Sequence, residues 1–115
     1  MAKLGPNLRC VVEVSNRDAI RSLFTDVFGA GVSQPTDTMD VLSFGDSNIG
    51  FEFVDAGKGL SEDDQRERGV WFEIVVDDVK AICTQIEGRG LTRLEYRDQE
   101  HAYYQLPGGP VFRIA

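Results

Sequence analysis

The same order of apolar stripes occurs twice in this chain, 62 positions apart, and a duplicated unit of this size leaves few folds open. In the first copy, Cys10, Val12 and Val14 alternate with Arg9, Val11 and Glu13 across Leu8 to Val14, which is strand spacing. Ser15-Asn16-Arg17-Asp18 then offers a cap residue with an acid three positions on. Ile20, Leu23, Phe24, Val27 and Phe28 follow as one helical stripe, closed by Gly29 and Gly31. The second copy runs the same way. Val70–Val76 is strand-like, Asp77 or Asp78 caps a helix striped by Val79, Ile82, Cys83 and Ile86, and Gly88 and Gly90 end it. Superposing the copies lays Val12 on Ile74, Ser15 on Asp77, Ile20 on Ile82 and Phe24 on Ile86.

The remaining apolar runs complete each unit. Met39–Phe44 and Asn48–Val54 predict two strands joined by the turn Gly45-Asp46-Ser47, with a further short strand near Val32. Leu91–Tyr96, His101–Leu106 and Val111–Ala115 predict three more, with Pro107-Gly108-Gly109-Pro110 as the last turn. Between the copies, "DAGKGLSEDDQRERG" has no period and reads as a solvated connection with room for one helical turn. The expectation is one α+β domain over residues 1–115, built from two tandem βαβββ units at about 6–55 and 70–115 with a linker at about 56–69.

Bulk properties exclude several functions. With 42% apolar and 27% charged residues, the chain has the composition of a globular domain with a core. No run is long and apolar enough to span a bilayer, and the N-terminus lacks the apolar segment of a secretory signal, so the expected location is the cytoplasm. Nineteen acidic against twelve basic residues give a net charge of −7, which repels nucleic acid and anionic membranes and suits a cationic small molecule. Cys10 and Cys83 fall on core-facing stripes, away from His101, and read as buried reduced thiols, not as nucleophiles or zinc ligands.

Three segments carry a family resemblance. "VVEVSNRDAIRSLFTDVFGAG", "IVVDDVKAI" and "LPGGPVFRI", in that order and across nearly the whole chain, resemble the vicinal oxygen chelate superfamily, the glyoxalase and bleomycin-resistance fold. The resemblance implies two units whose sheets curl into a cup of mixed strands with helices packed outside, and a homodimer. It also implies a divalent metal held from the first and last strands of each unit. Those positions fall here on Arg9, Glu52, Trp71 and Arg113, of which only Glu52 can ligate a metal. The departure counts against metal-dependent glyoxalase, dioxygenase, epimerase or thiol-transfer activity, so neither metal nor cofactor is expected.

Strand parity gives an independent reading of the faces. Cys10, Val12, Val14, Ile49, Phe51, Phe53, Phe72, Ile74, Val76, Phe112 and Ile114 share one face, the expected core beneath the helices. Arg9, Glu13, Glu52, Trp71, Glu73 and Arg113 share the other with small apolar residues. Two readings stand for that second face. It is either an ordinary solvated sheet face, or a partly enclosed network in which Arg9 and Arg113 pair with Glu52 and Glu73. Such a network serves structure or holds a ligand; Trp71 suits stacking on a flat or cationic ligand, or a dimer interface. One of Tyr103 and Tyr104 must face the same way. His101, as the sole imidazole, is a general acid or base on one reading and an inert exposed side chain on the other.

The functional expectation is a metal-free, dimeric small-molecule binding protein of the bleomycin-resistance type. Its ligand, cationic or aromatic, lies in the cup or the dimer cleft against Arg9, Glu52, Trp71, Glu73 and Arg113. The alternative is a metal-independent lyase or isomerase with Glu52 or Glu73 as base and an arginine stabilising an oxyanion.

Overall fold

The computed structural model describes residues 1–115, which divide into two compact units, Met1–Gly59 and Leu60–Ala115. The first runs β1 (Asn7–Glu13), α1 (Arg17–Phe28), β2 (Gly31–Thr36), β3 (Met39–Phe44) and β4 (Ser47–Val54). Its sheet has the order β1-β4-β3-β2, with β1 parallel to β4 and the other pairs antiparallel. The second runs α2 (Glu62–Arg68), β5 (Phe72–Ile74), α3 (Val79–Gly88), β6 (Ala102–Gln105) and β7 (Val111–Ile114). Its sheet has the order β5-β7-β6, again with one parallel pair, β5 and β7. The internal repeat is therefore a repeat of topology: β1, β4 and β3 correspond to β5, β7 and β6. The fold class is α+β, as expected.

Parity assigns the cores. In the first unit Val12, Ile49, Phe51 and Phe53 are buried beneath Ile20, Leu23, Phe24 and Val27 of α1. Phe24 is the hub, with ring centroids 5.5–5.8 Å from Phe28, Phe44 and Phe51. Burying each such ring is worth about 1.5–3 kcal/mol. The helix stops at Gly29, whose φ of 68° is the left-handed conformation that a side chain resists. In the second unit Ile74, Phe112, Ile114, Tyr104 and Ile86 of α3 are buried. Asp78 caps α3, accepting from the Ala81 N–H at 3.0 Å.

Several expectations are corrected. Val14 leaves the strand for a 3-10 turn over Val14–Asn16 and is 48% exposed, so it does not join the core. Asn16 stands at the N-cap of α1 without a side-chain cap bond, so the expected capping pattern there is not used. The β3–β4 turn has two residues, Gly45-Asp46, because Phe44 already pairs with Ser47. The connection between the copies holds more than one helical turn: Ser61 caps α2 through the Asp64 N–H, with acids in its first turn and arginines in its last. The strand expected over Val70–Val76 shrinks to Phe72–Ile74, where β7 supplies register partners, and Val70 and Val75 are exposed. The strand expected over Leu91–Tyr96 is a single bridge, Leu94 with Tyr103, so the second sheet has three strands where the first has four.

Candidate functional site

The richest side-chain cluster lies on the face of the second sheet opposite Ile74, Phe112 and Ile114. Register sets Glu73 of β5 directly beside Arg113 of β7, which in turn pairs with Tyr103 of β6. Because Phe72, Ile74, Phe112 and Ile114 point the other way, these three side chains share one side. Arg113 Nε donates to Glu73 Oε2 at 2.6 Å, and its Nη1 donates to the Tyr103 hydroxyl at 3.3 Å. The Tyr103 hydroxyl donates to Asp98 Oδ2 at 2.9 Å, and His101 Nδ1 lies 2.7 Å from the same oxygen. Arg113 Nη1 is 3.6 Å from it as well. Asp98 Oδ1 accepts from the backbone N–H groups of Glu100 and His101, which folds the loop into an Asx-type turn.

Electrostatics follow from these bonds. The Tyr103 hydroxyl, then His101 and the two N–H groups, hold the Asp98 carboxyl down to about 2. Tyr103 and Glu73 raise the Arg113 guanidinium, which is charged at any working pH in any case. Asp98 thus stays ionised and fixes the imidazole through Nδ1.

Aromatic rings frame the cluster. The Arg113 guanidinium lies 4.8 Å from the centroid of the Trp71 ring, a cation–π contact. Trp71 and Tyr96 both meet Tyr103 nearly at right angles, with centroids 6.0 Å and 4.8 Å away. Trp71 is 48% and Tyr96 40% exposed, whereas Tyr103 is buried. Beside them an open cavity of about 850 Å³ is lined by the loop 93–99, including Tyr96 and Asp98.

The first unit differs. Arg9 is exposed and bonds to no carboxylate; it borders a cavity of about 280 Å³ with Leu8, Met39, Val41, Gly50 and Asn48. The Met39 methyl lies over Gly50, 2.5 Å from where a Cβ would stand, and as the end of a flexible side chain it can move aside. Glu52 accepts from the Thr38 hydroxyl at 2.9 Å. Of the four charges expected to pair, only Glu73 and Arg113 form an ion pair. The Arg9–Glu52 contact is missing because β1 and β4 pair Arg9 with Gly50 and leave Glu52 beside Val11.

Two further placements settle earlier alternatives. Tyr103 faces the cluster while Tyr104 is buried on the core side, its hydroxyl donating to Glu87 at 2.9 Å. Cys10 and Cys83 are free and half-buried, and burial pushes the Cys10 thiol up to about 11, only partly opposed by Arg9, so it remains protonated. Sequence reasoning missed Tyr96 and Asp98, which lie in an aperiodic loop. It also missed Asp40, fully buried on the helix side of the first sheet, whose carboxylate takes bonds from Arg17 and Arg21 of α1 at 2.7–3.4 Å.

A divalent metal of the kind the resemblance implies does not fit this donor set. Arginine and tryptophan at three of the four corresponding positions offer no lone pair, and no three His, Cys, Asp or Glu side chains are grouped to hold an ion. No helix is long and apolar enough to cross a membrane.

No family model matches the sequence, and no curated protein matches it significantly. Solved structures do. Lactoylglutathione lyase from Agrobacterium tumefaciens is 16% identical, with 99% of this chain and 92% of that one covered and a TM-score of 0.69. A fosfomycin resistance protein from Mesorhizobium loti is 14% identical, covering 99% and 91%, also at 0.69. An antibiotic binding protein from a Streptomyces species is 15% identical, covering 98% and 94%, at 0.65. At such identities likeness speaks for architecture alone, and this chain has the vicinal oxygen chelate fold.

Proposed function

We propose that the protein binds a small organic molecule on the open face of its second sheet, as a metal-free, dimeric binding protein of the bleomycin-resistance type in the cytoplasm. The observation that carries this reading is the half-exposed Trp71 ring, held in place from beneath by Arg113 and Tyr103. An exposed aromatic already held by a cation–π and an edge contact is pre-organised for a ligand, which lowers the ordering cost of binding. Trp71, Glu73 and Arg113 form the centre of this proposed site, with Tyr96, Tyr103 and Asp98 added to them. Arg9 and Glu52 form a separate candidate contact surface on the first sheet. Solved structures of the same fold that include an antibiotic binding protein and a fosfomycin resistance protein support a resistance or sequestration role. Because Trp71 is the sole tryptophan, its fluorescence tests the reading directly. A panel of aromatic and amphiphilic compounds, known antibiotics included, is expected to contain ligands that change Trp71 emission and lose binding in Trp71→Ala while the fold is retained. A panel that leaves the emission unchanged contradicts it.

Metal-independent lyase or isomerase chemistry is a second reading, and one observation favours Glu52 over Glu73 as its base. Glu52 is bonded to a hydroxyl, whereas Glu73 is neutralised by Arg113 at 2.6 Å. Turnover of any carbonyl substrate that is lost in Glu52→Gln would support it, and turnover retained in that variant would exclude Glu52.

A further inference from the structure

The ligand class is written in the same cluster. We infer that the Trp71–Tyr96–Tyr103 face binds organic cations, groups such as a quaternary ammonium or a cationic ring; this rests on the small-molecule reading above and narrows it.

Three observations converge. First, two half-exposed aromatic rings flank a third, and ring faces carry the negative end of the aromatic quadrupole. The chain's own guanidinium already sits over Trp71 at 4.8 Å, so the indole is in use as a cation acceptor. Second, two carboxylates, Glu73 and Asp98, face one guanidinium, that of Arg113. An incoming anion would find Nε and Nη1 of Arg113 already donating to Glu73 and Tyr103. Third, the adjoining cavity of about 850 Å³ has room for a ligand body, and Tyr96 and Asp98 of the cluster belong to its wall. Arg93, Glu95 and Arg97 also line that wall but are exposed, where water and salt screen them; half-buried Asp98 is screened less.

Three isosteric probes decide it: choline, neutral 3,3-dimethylbutan-1-ol and anionic 3,3-dimethylbutanoate, each titrated into the full chain while the single indole N–H of Trp71 is followed by NMR. The expected result is a saturable shift with choline and at least tenfold weaker binding of both isosteres. Asp98→Asn and Tyr96→Leu each weaken choline by threefold or more with the melting temperature as a check of folding. Equal binding of all three probes overturns the cation inference and leaves the small-molecule reading standing. Tighter binding of the anion, or no shift with any probe, also overturns it, and the broader ligand panel then decides the small-molecule reading separately.

Discussion

Each unit sets an arginine over an aromatic ring and against carboxylate, yet the two do so on opposite faces of their sheets. In the first, Arg17 lies 5.0 Å from the Phe53 ring and joins Arg21 on Asp40, whose side chain is fully buried under α1. In the second, Arg113 lies 4.8 Å from Trp71 and bonds Glu73, whose side chain is 34% exposed. Similar contacts thus have different physical weight. The buried Asp40 carboxylate relies on two guanidiniums for the bonds that water would otherwise supply, while Arg17 and Arg21 themselves reach water at 18% and 35% exposure. An exposed pair contributes little to folding and is left accessible to a ligand.

The contrast is broken most easily at Asp40. Asp40→Ala should lower unfolding stability by about 1.5–3 kcal/mol in urea, because Arg17 and Arg21 lose their charge-assisted bonds to a buried partner. A loss below about 1 kcal/mol would place this cluster in the same class as the exposed pair. Acid provides the same test without mutation. Although burial opposes it, bonding from Arg21 and Arg17 leaves the Asp40 carboxyl below its ordinary value. A carboxylate depressed in the folded state contributes stability above its unfolded value of about 3.9, and the contribution fades as the pH falls through the lower folded value. Stability of the parent chain should therefore fall below about pH 4 more steeply than that of Asp40→Asn, as read by thermal melts from pH 5 to pH 2. Asp78→Ala, which removes the cap on α3, should cost about 1 kcal/mol by the same urea assay. Glu73→Gln should cost less than about 1 kcal/mol, since its partner remains hydrated, and a larger loss would make the second network structural too.

Much of the architecture was legible because periodicity reports burial. The stripe Ile20, Leu23, Phe24 and Val27, and the alternation through Phe51, Phe53, Phe112 and Ile114, are buried as their spacing demands. The faces of Glu73 and Arg113 were legible for the same reason, and register then made them neighbours. Pairing was less legible, because one residue of register decides it: Arg9 lands beside Gly50 and misses Glu52. Tyr96 and Asp98 carry no periodic signal, since their loop is shaped by Asx-type bonds and by one bridge at Leu94. Asp40 did leave a trace. It alternates with Leu42 on the core parity of β3, and Arg17 and Arg21 stand four apart on the helix that covers it.

The central claim is that the buried network serves folding while the exposed one receives ligand. It is tested most directly by NMR of the arginine Nε–H groups and the Trp71 indole during titration with whichever compound changes Trp71 emission. The account predicts that the Trp71 and Arg113 resonances move together and saturably while those of Arg17 and Arg21 stay fixed. Movement of Arg17 and Arg21 with Trp71 and Arg113 unmoved would contradict it.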